Sequence, residues 1–261
     1  MTVLPPDRCL DVLAEQTLLP DRHTAVYLAG SLVRGWGNPL SDLDVYVVVP
    51  EPWTRPDAEV GAVSVPPGSV PIHGFVGEGR RWDVEYWTEQ QVDDLLELVS
   101  WPSFEARRAR AESLTKHEIA FMQRLAFADV VTGADWVARR KDQFEASAVR
   151  TMIASRALYE FDLFAEDAVG MLQAGDVESA VLAARYGFGC AVEALLASRG
   201  EFNEQEKWRA RRMRAVSPPE LSFEDYWAIE TLRDLDPEAP GTWVETVLTV
   251  CQGIANEVKL G

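Results

Sequence analysis

The sequence predicts an α+β chain in two parts, a small α/β domain with a mixed sheet over residues 1–102 and a helical bundle over residues 103–261. Three observations carry this. Short β-branched or alternating runs, Ala25–Ala29, Val45–Val49 and Arg81–Trp87, crowd the first hundred residues. After Ser103 the apolar residues recur at helical spacing instead, as in Val149, Met152, Ile153, Leu158, Phe161 and Phe164. No internal repeat or low-complexity tract interrupts either part.

The elements follow in order. Asp7–Leu18 reads as an amphipathic helix. Ala25–Ala29 and Val45–Val49 read as strands, and the Pro-, Gly- and acid-rich stretch 51–71 as a loop. Ile72–Val76 is a further strand, and Gly77–Gly79 turns the chain into the alternating strand Arg81–Trp87. Thr88 followed by Gln91 is a capping-box pair and starts a helix over 89–99, which Pro102 ends. Two helical stretches are expected within 104–132, and Gly133 and Asp135 mark a fresh start. One long periodic segment runs over 136–173 to Gly175-Asp176. A small-residue helix over 177–199 follows, with Ala183, Ala184, Gly187, Gly189 and Ala191 permitting close packing. Two last helices are expected at about 223–235 and 242–258.

The chemistry concentrates between Tyr27 and Val49, in YLAGSLVRGWGNPLSDLDVYVVV. An apolar strand ends in Gly30-Ser31. A turn with Arg34, Gly35, Trp36 and Gly37 leads to Ser41, Asp42 and Asp44 at the mouth of the next strand. Aspartates two residues apart on a strand project to the same side. Held together they repel unless a cation sits between them, and hard carboxylate oxygens suit Mg²⁺, which takes one or two carboxylates and completes its shell with water and phosphate oxygens. The Gly-Ser turn offers small residues and backbone N–H groups that can approach phosphate closely. Arg34 is either a surface turn residue or a forked phosphate contact. Asp83 and Glu85 share one face of the Arg81–Trp87 strand, so either could join the aspartate pair.

The GS, glycine spacer and SDLDV pattern resembles the polymerase-β-type nucleotidyltransferases, closest to the small-molecule, aminoglycoside-type adenylyltransferases. The resemblance covers the motif segment specifically and the helical half loosely. It implies an N-terminal nucleotidyltransferase domain and a C-terminal substrate-binding helical domain. It implies that AMP passes from ATP to a substrate hydroxyl, with two Mg²⁺ ions held by Asp42, Asp44 and a third acid, which the family pattern places at Asp83 before Glu85. Gly30, Ser31, Arg34 and Ser41 would contact the nucleotide, and Trp36 would stand beside the nucleotide or substrate. The EALLASRGEF…KW arrangement is similar to the helical domain of such enzymes, where Lys207 would touch the triphosphate and Trp208 would pack nearby. Glu193, a carboxylate within an apolar helix, would hold an amine of the substrate or pair with an arginine such as Arg185. Two other readings share these residues: a protein-adenylylating antitoxin-type enzyme, and a non-catalytic nucleotide-binding module.

Composition limits the partners. The chain has 261 residues, 47% hydrophobic and 26% charged, ordinary for a globular protein. Its 42 acidic against 25 basic residues give a net charge of −17. A nucleic-acid substrate calls for a broad positive surface, so the expectation is a small, cationic, hydroxylated acceptor and no nucleic acid. The basic cluster Lys207, Arg209, Arg211, Arg212 and Arg214 is the exception, expected to serve one triphosphate. No apolar run of about 20 residues and no leader-like N-terminus is read, so the expectation is a cytoplasmic monomer or homodimer with no membrane partner. Cys9, Cys190 and Cys251 are scattered, as are His23, His73 and His117, so neither disulfides nor zinc are expected.

Overall fold

The computed structural model describes residues 4–107, 114–203 and 205–260. The chain folds into two compact units, Met1–Ser147 and Ala148–Gly261. This division falls later than residue 102 because the segment that follows returns to the sheet.

In the first unit, α1 (Pro6–Glu15) precedes β1 (Ala25–Ala29), a short α2 (Gly30–Val33) and β2 (Leu43–Val49). Then come β3 (Glu59–Ala62), β4 (Ser69–Gly77), β5 (Arg80–Thr88), α3 (Glu89–Leu98), α4 (Trp101–Arg107), α5 (Lys116–Ala126), β6 (Asp129–Thr132) and α6 (Ala134–Glu145). Among the described residues the strands form one mixed sheet in the order β3-β4-β5-β2-β1-β6. Only β2 and β5 pair in parallel; the other neighbours are antiparallel.

Several boundaries differ from the sequence reading. β2 starts two residues early, which places Asp44 inside the strand. β3 lies within the expected loop 51–71, and β6 within the expected helical stretch. Both are four-residue edge strands that need only one partner's backbone, so neither carries a periodic side-chain pattern. Pro102 sits in the first turn of α4, where its missing N–H costs nothing. The Thr88–Gln91 capping box forms, with Gln91 N donating to Thr88 Oγ1 at 3.1 Å and Thr88 N to Gln91 Oε1 at 3.0 Å.

The central strands β1, β2 and β5 alternate. Val26, Leu28, Leu43, Val45, Val47, Val49, Trp82, Val84 and Tyr86 point to one face and form a core with Cys9, Val12 and Leu13 of α1. The opposite face carries Tyr27, Asp44, Tyr46, Asp83, Glu85 and Trp87, and α5 covers part of it. Phe121 of α5 packs on Trp87 with ring centroids 4.3 Å apart and edge-on to Tyr46 at 5.9 Å. The N-terminus of α5 is tied down by Glu118, fully buried. Its carboxylate accepts from Thr115 N at 2.6 Å, Ser64 N and Ser64 Oγ at 2.7 Å and Val65 N at 3.2 Å. One acid thus caps its own helix and fastens it to the segment between β3 and β4.

The second unit is helical: α7 (Val149–Ala174), α8 (Val177–Ser198), a 3-10 turn (Glu206–Trp208), α9 (Arg209–Val216), α10 (Phe223–Glu230) and α11 (Pro240–Glu257). The periodic segment over 136–173 is two helices, α6 and α7, broken at 146–148. α7 and α8 form a hairpin whose turn is stopped by Gly175 and restarted by Asp176, which caps Ser179 N. By length and composition alone α8 is apolar enough to cross a membrane, although Glu178, Arg185 and Glu193 interrupt its apolar run. Its apolar residues Ala180, Ala184, Phe188, Ala191, Val192 and Leu195 are instead buried within the unit.

Candidate functional site

The site begins where β1 ends. Gly30 has φ +77°, a backbone that side-chain-bearing residues rarely adopt. It also has no room for one, since a Cβ there would lie 1.9 Å from Asp44 Oδ2. The Gly-Ser turn therefore packs its backbone directly against the carboxylate of Asp44. Ser31 O accepts from Trp36 N at 2.8 Å and Gly37 N at 3.0 Å, folding the following loop back on the turn. Within that loop the Arg34 guanidinium lies between two aromatic rings, 3.6 Å from the centroid of Trp36 and 3.9 Å from that of Phe127. Ser41 Oγ accepts from Asn38 N at 2.9 Å, so its hydroxyl shapes the turn that delivers Asp42 and Asp44.

Parallel pairing of β2 with β5 puts Asp44 opposite Asp83 and Tyr46 opposite Glu85. The two candidates for the third acid thereby separate. Asp83 lies level with Asp44, its side chain 28% exposed, with Arg81 Nε donating to its Oδ1 at 3.0 Å. Glu85, 6% exposed, is one step deeper and sits in a buried network. Trp87 Nε1 donates to Glu85 Oε1 at 2.6 Å, Tyr46 OH reaches Glu85 Oε2 at 3.5 Å, and His117 Nδ1 is 3.7 Å from the same oxygen. Asp83 thus lies level with Asp44, and Glu85 one step deeper along the paired strands.

Arg124, on the last turn of α5, completes the cluster. Its Nη2 lies 3.0 Å from Asp44 Oδ1, and its Nη1 donates to the Tyr46 hydroxyl. Sequence reading set His117 aside as a zinc ligand and passed over Arg124. Their spacing with Phe121 (i, i+4, i+7) places all three on one face of a helix, and that was the available signal. Burial pushes the Asp44 carboxyl above the usual carboxylate range; Arg124 opposes this, while Asp83, Glu85 and Asp42 reinforce it.

This acid surplus fits a hard divalent cation: the donors are carboxylate oxygens, and the neighbouring charge that raises Asp44 is charge a cation would relieve. Among the described residues no three acid, histidine or cysteine side chains come together closely enough to hold a metal ion by themselves. Mg²⁺ does not need one, since one or two carboxylates plus phosphate oxygens suffice.

The remaining predicted residues belong to the second unit. Glu193 accepts from Arg209 Nε at 2.8 Å and from Arg212 at 2.7 and 2.6 Å, so both its oxygens are taken by guanidinium groups. Its partners are these two arginines rather than Arg185, which pairs with Glu230 at 3.1 Å. Gly189 lets Arg209 in, since a Cβ there would be 3.1 Å from its Nη1. Of the basic cluster, Arg209 and Arg212 point inward. Lys207 and Arg211 lie over the Trp208 ring at 5.4 and 5.7 Å, and Arg214 over Phe223 at 3.5 Å.

Residues 10–121 match the family model of the nucleotidyltransferase domain. Among solved structures, the chain is similar to the crystal structure of a nucleotidyltransferase-like protein from Exiguobacterium sibiricum 255-15. The TM-score is 0.50 at 11% sequence identity, over 96% of this chain and 74% of that one, a likeness of fold. No curated protein matches the chain. Over residues 10–121 the chain is thus similar to the nucleotidyltransferase domain, and the sheet of that region is completed by β6 beyond them.

Proposed function

We propose that this protein transfers a nucleoside monophosphate, AMP from ATP, to a hydroxyl of a small cationic molecule such as an aminoglycoside or a biosynthetic intermediate, in the cytoplasm. The observation that carries the reading is the level pairing of Asp44 with Asp83 across parallel strands, against the Gly30 backbone. Asp42, Asp44 and Asp83 would hold Mg²⁺, two ions in the full reaction, and the bound metal would neutralise charge on the phosphate oxygens. The turn at Gly30-Ser31 would offer its backbone to the triphosphate, and Arg34 would contact phosphate. The acceptor oxygen forms a bond to the α-phosphorus, the bond from that phosphorus to the bridging oxygen breaks, and pyrophosphate leaves. Asp83 takes the proton of the attacking hydroxyl. The net charge of −17 favours a cationic acceptor and disfavours a polyphosphate one.

Pyrophosphate release tests this directly, with each of the four nucleoside triphosphates and Mg²⁺ against a panel of amino sugars and hydroxylated metabolites. Release that depends on both nucleotide and acceptor is expected. Incorporation of labelled nucleotide into tRNA, RNA or DNA would overturn the small-molecule acceptor. A second reading, a non-catalytic nucleotide-binding module, is favoured by the ion pairs that Arg124 and Arg81 make with Asp44 and Asp83. Nucleotide binding without pyrophosphate release across the whole panel would select it.

A further inference from the structure

We infer that Arg124 is a positioning residue of the acidic site: it holds Asp44 by one carboxylate oxygen and thereby makes divalent-cation uptake depend on bound nucleotide. The inference rests on the nucleotidyl-transfer reading of this site. Asp44 is divided between two neighbours. Its Oδ1 is 3.0 Å from Arg124 Nη2, while its Oδ2 lies against Gly30 and faces the Gly-Ser turn. Arg124 is itself held in place. Its second nitrogen donates to the Tyr46 hydroxyl, and Tyr46 is fixed by stacking on Tyr27 at 5.2 Å and by its hydroxyl reaching Glu85 at 3.5 Å. Trp87 holds Glu85 in turn. The guanidinium cannot swing away without breaking this chain of buried contacts.

Two consequences follow for a cation arriving at Asp44. Arg124 already supplies a full positive charge beside the carboxylate, so the electrostatic gain from a second cation is reduced, and part of that gain becomes repulsion. One of the two oxygens is also committed to α5. In the nucleotide-free protein the site is therefore a poor divalent site. A triphosphate adds negative charge and oxygen ligands together, so ion and nucleotide bind cooperatively, each raising the affinity of the other. Arg124 makes no contact with substrate in this scheme and acts through Asp44.

Mn²⁺ binding read by electron paramagnetic resonance tests this without turnover, in the wild type, Arg124→Gln, Arg124→Lys and Tyr46→Phe, each with and without a non-hydrolysable ATP analogue. Arg124→Gln should tighten nucleotide-free Mn²⁺ binding by about tenfold or more and shrink the cooperativity with the analogue, which typically amounts to roughly 5- to 150-fold. Tyr46→Phe, which removes one tether of the guanidinium, should move both quantities the same way by less. Arg124→Lys keeps the charge and should stay nearest the wild type. Unchanged or weaker nucleotide-free Mn²⁺ binding in a folded Arg124→Gln protein would overturn the inference. Should circular dichroism show that variant unfolded, no change in Tyr46→Phe would overturn it equally. A wild type that shows the cooperativity yet releases no pyrophosphate with any acceptor would sink the transfer reading and leave the role of Arg124 standing. Mn²⁺ bound by no form, with or without the analogue, would end both.

Discussion

Each unit of this protein buries carboxylates beside arginines, and the two clusters are balanced in opposite senses. In the helical unit, Glu193 and Glu230 meet Arg185, Arg209 and Arg212, and Arg212 has no exposed side-chain surface. Burial alone would push the Glu193 carboxyl up, but two hydrogen-bonded guanidinium groups more than offset it and hold the group below the usual range. In the sheet unit, Asp44 pairs with the half-buried Arg124 and Asp83 with the exposed Arg81, Asp42 and Glu85 add further negative charge, and the Asp44 carboxyl is pushed the other way. A buried acid is therefore not a site by itself. Both oxygens of Glu193 are taken by guanidinium groups, whereas Asp44 belongs to a cluster with negative charge left over.

The largest expected effect tests that asymmetry at the acid surplus. Asp44→Asn should cut pyrophosphate release by on the order of 10³-fold or more while circular dichroism stays native. Near wild-type turnover would remove Asp44 from the reaction. In the other cluster, Arg212→Met should leave turnover chemistry alone and instead cost about 1.5–3 kcal/mol of stability, read from the urea midpoint, because it removes two of the three guanidinium hydrogen bonds to Glu193 and leaves Arg209 as its partner. Replacing both partners, as Glu193→Leu with Arg212→Met, should recover most of that loss. If the double variant is no better than the single one, the network is more than a satisfied pair.

Within the sheet unit the comparison can be sharpened between neighbours. Asp83→Ala should act on turnover. Glu85→Ala should act mainly on stability, by about 1–3 kcal/mol, since it leaves the buried Trp87 Nε1–H unpaired. Opposite ranking in paired kinetic and unfolding measurements would move the metal-holding role one strand step deeper.

The smallest effect is in the dependence on pH. Because Glu193 has a lowered pKa when folded, its contribution is fully present above the ordinary carboxylate value and is lost as pH falls through the lowered one. Asp44 has the opposite sign. Its raised pKa means that the folded state keeps a proton the unfolded chain releases, so a destabilising contribution grows as pH rises from the ordinary value through the raised one. Urea midpoints followed from acid to neutral pH should therefore show a shallower acid-side fall in Glu193→Gln than in the wild type. Parallel curves for the two would show that Glu193 does not carry the linkage.

The sequence made the acidic cluster legible up to a point that can be stated residue by residue. Gly30-Ser31, Asp42 and Asp44 stood out because a turn, a strand and a charge pattern coincide within a short stretch. The choice between Asp83 and Glu85 could not be made from alternation alone, because both occupy one face. The parallel register with β2 and the indole of Trp87 separate the two in space, which alternation does not. Arg124 was missed, and His117 set aside, because they come from a covering helix whose relation to the sheet is set by tertiary packing. Glu193 was seen as unusual, but its partners Arg209 and Arg212 lie on another helix, while sequence proximity pointed to Arg185. β3 and β6 escaped for the reason all short edge strands do: backbone pairing defines them, and a handful of side chains carries no period.

The pairing of β6 with β1 has a consequence in time. During synthesis the chain emerges from its N-terminus, and β1 stays an unpaired edge on one side until residues 129–132 are available. Arg124 and the end of α5 arrive only just before. Asp44 therefore spends the interval after its own strand forms without the helix that holds it, as an acid beside a bare edge. A fragment cut at residue 121, where the family match stops, would freeze that unfinished stage, with β1 free to pair with the edge of another molecule.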